Sequence, residues 1–356
     1  GDHRDLHLSI RRQRQMCIRD RIQSPIRTMK DFRDAAYGFR VSRIIATALD
    51  LDIFTIMGSR WWTTKHLAKA LKSNERGVEI LVRNLEATGL LKKRGVTFRV
   101  SKVAKMFLDR NSLQYQGAYL DLLHHQWENW AGLTNAVRTG RPIENDGPDD
   151  PDYRRSFTWA MHQRSQQAAK QVAAQLNLRN SNSLLDVGGG PGTYALEFLK
   201  RNPKLEAGVW DREPALEVAR TIAEPLRHGK RLSYYPGDLF KSRVPGKFDV
   251  MWFSNVLHIF SPNENKTLFR KLNRALNPGG CILIQDTFLM DKPGFDAAET
   301  NLFAVTMLLY TSTGNTYSAK EVQRWLKCCG FKKTRFLKMK KGTGDWDGVI
   351  VEGRKS

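Results

Sequence analysis

The stretch Leu184 to Gly192, LLDVGGGPG, restricts the fold more than any other part of this chain. Leu184, Leu185 and Val187 form a short apolar run of the kind buried strands use. The glycines behind them admit φ > 0 and let another group approach the backbone closely. A helical pattern then starts near Thr193, with Ala195, Leu196, Phe198 and Leu199 on one side. Strand, glycine turn and helix in that order predict an open α/β sheet, whose ligands sit at strand ends near a topological switch point.

The glycine spacing bears on which ligand. A dinucleotide fingerprint asks for G-x-G-x-x-G. Gly188 and Gly190 fill its first two positions, but the third falls on Thr193. Pro191 also lacks the N–H that a pyrophosphate cradle would use. One strand and helix later, AGVWD places Asp211 at a strand end, where a carboxylate can accept hydrogen bonds from both ribose hydroxyls. That acid alone does not separate NAD from S-adenosylmethionine. The run GDLF follows a third strand, Leu232 to Tyr235. Asp238 there suits an adenine amino group, with Leu239 and Phe240 as apolar neighbours for the ring. Three strand ends bearing Asp186 with Gly188, Asp211 and Asp238 favour a nucleoside without phosphates.

The runs DVGGGPG, VWDREPALEVAR, GDLF, FDVMWFSNVLHIF and ALNPGGCILIQD, in this order, resemble the small-molecule O-methyltransferases of the plant caffeate and bacterial acetylserotonin-like type. The resemblance covers roughly residues 30 to 356. It implies an α/β fold: a Rossmann-like seven-stranded methyltransferase sheet with an N-terminal α-helical winged-helix dimerisation domain. It implies S-adenosylmethionine as cofactor and a homodimer. It maps the catalytic His onto His258 and an orienting acid onto Asp286. A second family Glu maps near Thr316 and is missing. Ser254 stands where plant members carry a cofactor-contacting Lys, and Ile259 where an acid often follows the His. The cofactor set is then Asp186, Gly188, Gly190, Asp211, Asp238, Leu239, Phe240 and Ser254. Met161 and His162 resemble the helix that packs over cofactor and acceptor. Phe295, Phe303, Met307, Leu308 and Tyr310 fall in the segment that lines the family's acceptor site, which implies an apolar, aromatic or polyketide-like acceptor.

A chain of 356 residues predicts two domains. The boundaries read as a leader over 1–21, a winged helix over 22–110, connecting helices over 111–180 and the cofactor-binding domain over 181–356. Residues 1–21 hold six Arg and three Asp and lack the apolar stretch of a secretory signal. They resemble translated adapter sequence, and a basic nucleic-acid-binding arm is the competing reading. No apolar run approaches the ~18 residues of a membrane helix. Cys17, Cys281, Cys328 and Cys329 make no metal or disulfide framework, so no metal and a reduced, cytoplasmic setting are expected. The formal charge of +22 leaves open affinity for an anionic partner or simply a solvated basic surface.

Ahead of the glycine stretch, Phe32, Ala36, Phe39, Ile44, Ala48 and Leu51 recur at helical spacing, predicting helix from Met29 to about Met57. Thr63 with Thr64 and Asn74 are N-caps for helices Lys65 to Leu71 and Glu75 to Thr88. Leu90 to Val100 reads as a hairpin turning at Gly95. This winged-helix order invites DNA binding, encouraged by Arg76, Arg83, Lys92, Lys93, Arg94 and Arg99. Dimerisation is the stronger reading, because the first helix is apolar on too many sides for a lone surface helix. Tyr115, Tyr119, Leu122, Leu123, Trp127, Trp130 and Leu133 make an aromatic stripe that reads as core. Residues 141–152 read as a loop and Tyr153 to Leu178 as a helix.

The remaining strands are expected near 183–187, 206–210, 231–236, 247–253 and 280–286, then Phe331 to Met339 and Trp346 to Val351. Between them run helices near 193–201, 214–225 and 262–276, and one after Tyr317. Methyl transfer from a sulfonium mainly needs alignment of acceptor and methyl. A hydroxyl acceptor also has to lose its proton, for which a His is the usual base near neutral pH. The alternatives carried alongside are C- or N-methylation on the same fold, and a DNA-binding sensor built on a degenerate methyltransferase domain.

Overall fold

A computed structural model describes residues 26–143, 150–289, 295–340 and 348–355, with the side chains of 295–299 outside the description. The expectations for residues 1–21, for most of the 141–152 loop, for the turn after Lys340 and for the Phe295 side chain therefore lie outside the described residues. The chain divides into two compact units, one built on the residues up to His124 and one on those from His125 onward.

In the first unit, helix α1 (Met29–Asp50) opens with a capping box between Thr28 and Asp31. The predicted helix does not run through to Met57. It stops at Leu51, and α2 (Ile53–Met57) starts after Asp52, which sits at φ 51°. Asp is one of the few residues that tolerate this left-handed conformation, and Arg110 Nε donates to Asp52 Oδ1 at 3.1 Å to hold it. The helical period carries across such a one-residue break, which is why spacing alone does not reveal it. Strand β1 (Trp62–Thr63), α3 (Thr64–Ala70), α4 (Glu75–Ala87), β2 (Leu91–Arg94), β3 (Thr97–Val100) and α5 (Lys102–Leu108) complete a winged helix with sheet order β1-β3-β2. Thr63 and Asn74 cap α3 and α4. Phe54, Met57, Leu67, Val82, Leu85 and Phe98 form its core.

Short helices α6 (Gly117–His125), α7 (Trp127–Ala131) and α8 (Leu133–Thr139) follow. The aromatic stripe predicted here as core is corrected: Leu122 is buried, but Leu123 and Trp127 are 45% and 44% exposed. These helices have nine, five and seven residues, too short for a helical stripe to stay on one buried face. The next helix, α9 (Pro151–Gln175), starts two residues earlier than expected, with Asp150 as N-cap and Pro151 in the first turn.

The second unit is built on β4 (Ser183–Val187), α10 (Thr193–Arg201), β5 (Glu206–Asp211), α11 (Glu213–Ala223), β6 (Leu232–Pro236), β7 (Phe248–Ser254), α12 (Pro262–Ala275), β8 (Leu276–Gln285), α13 (Phe295–Tyr310), α14 (Ala319–Cys328), β9 (Lys333–Lys338) and β10 (Val349–Arg354). Its seven-stranded sheet has the order β6-β5-β4-β7-β8-β10-β9, with β10 antiparallel to both neighbours and the rest parallel. Successive strand residues face opposite layers. Leu184 and Trp252 join the layer with Val172, Phe198 and Leu216, while Leu185, Met251 and Phe253 join that with Phe269, Leu272 and Leu326. The order of connection reverses between β4 and β7, so the ends of these two strands form the switch point.

Candidate active site

The turn after β4 carries Gly188, Gly190 and Gly192, all with positive φ. Gly188 N–H donates to the Trp210 carbonyl at 2.8 Å, tying the turn to the end of β5. A Cβ on Gly188 would lie 2.7 Å from Val256 Cγ2 and 3.7 Å from Leu239 Cδ1. The turns after β4, β6 and β7 therefore converge on this glycine, and only a residue without a side chain leaves room for them.

Asp211 ends β5 and organises the same turn. Its Oδ2 accepts the Gly190 N–H at 2.8 Å and its Oδ1 accepts the Arg212 N–H at 2.7 Å. Burial raises its pKa, while those two donors act the other way. Asp186 lies beneath the loop at 2% exposure, close enough that a Cβ on Gly189 would sit 2.4 Å from its carboxyl carbon. Burial pushes its pKa up to about 8, and Oδ2 has no partner among the described residues. Asp238 caps its own turn: Oδ1 accepts from the Phe240 and Lys241 N–H groups at 2.9 and 3.0 Å, and these bonds hold its pKa below the ordinary carboxylate value. Arg212 Nη2 stands 3.9 Å from its other oxygen.

After β7, Ser254 is buried and Asn255 adopts φ 56°, with its N–H donating to the Gln285 carbonyl at 2.9 Å. That left-handed step turns the chain into a single 3-10 turn, Leu257–Ile259, which carries His258. His258 Nδ1 lies 2.7 Å from Asp286 Oδ1, and both side chains are buried. Asp286 Oδ1 also accepts the Thr287 N–H at 2.8 Å, while its Oδ2 is buried without a partner among the described residues. Phe303 packs edge-on against the imidazole, with ring centroids 4.7 Å apart. Met307 is buried one helical turn further along α13. Phe240 and Phe260 meet edge to face at 5.0 Å.

Several supports were not legible in the sequence. Asn265 is fully buried, and its Nδ2 lies 2.9 Å from the Leu257 carbonyl and 3.0 Å from that of Phe260, pinning both ends of the His258 turn. The His258 carbonyl accepts the Asn315 N–H at 2.9 Å. Tyr194, at the start of α10, packs its ring 5.1 Å from that of Trp252, and burial pushes its pKa up to about 12. The only advance signal was an Asn on the apolar side of α12. Thr316, standing where the second acid is missing, is buried with its hydroxyl unpartnered among the described residues.

The structure brings His258, Asp286 and Phe303 together, and Gly188 with Leu239, and Gly190 with Asp211. His162 is engaged elsewhere on its helix. Its Nδ1 is 2.8 Å from Thr193 Oγ1, joining α9 to α10, and its Nε2 is 3.0 Å from Gln166 Nε2 one turn further along α9. Burial lowers its pKa to about 4. Met161 is half-buried beside it.

Comparison with known proteins accounts for this arrangement. Residues 130–332 match the O-methyltransferase domain, and residues 34–110 match the O-methyltransferase dimerisation domain. The chain is 29% identical over 318 residues to the tetracenomycin polyketide synthesis 8-O-methyl transferase TcmO of Streptomyces glaucescens, spanning 87% of this chain and 93% of that protein. It is 25% identical over 350 residues to acetylserotonin O-methyltransferase of Gallus gallus, spanning 89% and 95%. Its fold is similar to that of human N-acetylserotonin methyltransferase solved in complex with SAM, with TM-score 0.81 and 21% identity over 94% of this chain and 99% of that one. The chain belongs to the O-methyltransferase family. It is an S-adenosylmethionine-dependent methyltransferase, and S-adenosylmethionine is the cofactor expected at the strand ends. Among the described residues, no helix is long and apolar enough to cross a membrane.

Proposed function

We propose that this enzyme methylates a hydroxyl of an apolar aromatic or polyketide-like small molecule, with His258 as the general base. The observation that carries this is the buried 2.7 Å contact between His258 Nδ1 and Asp286 Oδ1, on a turn that leads directly from Val256 above Gly188. With Asp286 ionised, a carboxylate only accepts, so Nδ1 is the donor and Nε2 keeps its lone pair for an acceptor hydroxyl. The same bond fixes the ring orientation and stabilises the imidazolium once the proton has moved. S-adenosylmethionine supplies a methyl group already activated on a sulfonium.

The residues present fit that cofactor. The glycine turn at Gly188 and Gly190 leaves the backbone approachable, and Asp211 stands at the next strand end as the ribose acceptor. Asp238 offers its second oxygen to the adenine side, with Leu239 and Phe240 as apolar neighbours. Ser254 and Asp186 complete the set, Asp186 acting through the loop it supports. Phe303 and Met307 wall the acceptor side, with Met161 as a further wall residue, while His162 ties α9 to α10. Apolar walls exclude water, which strengthens the His–Asp pair and keeps the acceptor aligned. The polyketide-type acceptor draws support from the name of the Streptomyces glaucescens relative.

We further infer a homodimer formed through the first unit. Helix α1 leaves Met29, Phe32 and Phe39 at 71%, 57% and 50% exposure, a contiguous apolar face that a monomer would have to hydrate. The decisive experiment is a metabolite-extract screen with methyl-labelled S-adenosylmethionine, followed by identification of the product. Label on an oxygen of an aromatic metabolite is expected. Label on carbon or nitrogen overturns the acceptor assignment.

A further inference from the structure

We propose that the wing of the N-terminal unit holds a binding site for a compact phosphate-bearing small ligand. From Leu90 to Leu108 the chain carries six cations and no acid. The fold gathers four of them, Lys92, Arg99, Lys102 and Lys105, together with Ser59 and Ser101, around a concavity of about 210 Å³.

Three local electrostatic rules are broken at this one place. Lys92 is directly opposite Arg99 in the antiparallel β2–β3 pair, and like charges in that position repel. Lys102 and Lys105 are three apart on α5, hence on one face, and repel as well. Ser101 is the N-cap of α5, so Lys102 occupies the first turn, where the helix end disfavours a cation. Among the described residues no carboxylate forms an ion pair with any of the four. Uncompensated violations of local consistency are what a binding site leaves behind.

The groups are also placed rather than merely near one another. The Arg99 guanidinium lies 4.8 Å from the centroid of the Trp61 ring, and Lys105 Nζ is hydrogen-bonded to Ser59 Oγ. Stacking restrains the guanidinium while leaving its edge free to fork onto an oxyanion. A bound phosphate would neutralise the cluster and accept from Arg, Lys and Ser at once.

A duplex is the poorer occupant. In a winged helix the recognition element would be α4, and α4 carries Glu75, Glu79 and Glu86 against Arg76 and Arg83, with Arg83 already paired to Glu79. That face repels a phosphate backbone. The small volume and the single cationic focus suit a phosphate or diphosphate head group.

The test is calorimetric titration of the full chain with pyrophosphate at constant ionic strength in chloride buffer. Saturable binding is expected, weakened roughly tenfold or more in Lys92→Gln/Arg99→Gln by loss of charge-assisted hydrogen bonds. Should that variant fail to fold by circular dichroism, Lys102→Gln/Lys105→Gln gives the same readout from α5. The pair Lys332→Gln/Lys333→Gln, on the other unit, removes equal charge and is expected to leave the affinity unchanged. Absence of saturable binding overturns the site. Equal weakening by the pair on the other unit reduces it to the general field of a +22 chain and overturns it too. A DNA duplex retained at physiological salt by the wild type and released by the wing variant assigns the wing to nucleic acid, and overturns the small-ligand reading.

Discussion

The two units depart from ordinary partitioning in opposite directions. In the sheet unit, polar groups lie inside: Asp186, Asp286 and Asn265 are 2%, 2% and 0% exposed, each beside the turns at the switch point. In the N-terminal unit, apolar groups lie outside: Phe32 and Phe39 face solvent along α1. Buried polar groups are costly unless hydrogen-bonded, and exposed apolar faces are costly unless covered. The first departure is compensated in part: Asp286 Oδ1 meets His258 Nδ1 and the Thr287 N–H, and Asn265 Nδ2 donates to backbone carbonyls, while Asp186 Oδ2, Asp286 Oδ2 and Asn265 Oδ1 have no partner among the described residues. The second leaves Met29 and Phe32 exposed on α1 among the described residues, the face that the proposed second copy would cover. Polar groups held inside mark chemistry, and apolar groups held outside mark association.

The sharpest way to break that contrast is at His258. His258→Ala is expected to lower turnover by ~10²–10⁴-fold, the range for a general base, while calorimetry shows S-adenosylhomocysteine binding unchanged. Asp286→Asn should follow with a smaller loss, since it disturbs ring orientation and leaves the base in place. Turnover unaffected by either change would remove the buried pair from the chemistry.

On the outer side, Phe32→Asp with Phe39→Asp should convert the dimer to monomer in sedimentation velocity, weakening association ~100-fold if each aromatic acts as an interface anchor. The same variant should keep its helical circular dichroism, because both rings are at least half exposed. A dimer that persists would show that α1 is not the covered face.

Asn265→Ala probes whether the inner polar groups are structural as well as functional. Loss of a buried donor to two carbonyls should cost ~1–3 kcal/mol in urea unfolding and lower turnover with cofactor affinity retained. A pH series gives the smallest effect. Asp186 holds its proton up to about 8 in the fold and to an ordinary carboxylate value when unfolded. The folded ligand-free chain thus binds the extra proton between those values, and its stability falls as pH rises from about 4 to about 8. Asp186→Asn should flatten that slope in denaturant titrations; an identical slope in wild type and variant would count against the buried neutral acid.

Much of this was legible from residue order. The glycine turn, Asp211 and Asp238 each read as strand-end features because their signals are local: an apolar run, a breaker, an acid. Capping boxes at Ser261 with Glu264 and Ser318 with Glu321 set helix starts in the same way. The pairing of His258 with Asp286 was reached through family resemblance, and a 28-residue separation gives no local cue to it. The break at Asp52 stayed hidden because apolar spacing survives a single left-handed residue. The exposure of Trp127 and Leu123 stayed hidden because spacing says which residues share a face and not whether anything covers it.

What this sequence determined by itself is the order of its elements and the chemistry offered at each strand end, since backbone conformation and side-chain type are short-range properties. Only the tertiary structure decided that Val256 and Leu239 close on Gly188, that Asn265 pins the His258 turn, and that four wing cations share one concavity. Those are meetings of residues distant in the chain, and their energy comes from burial and from charge brought close in space.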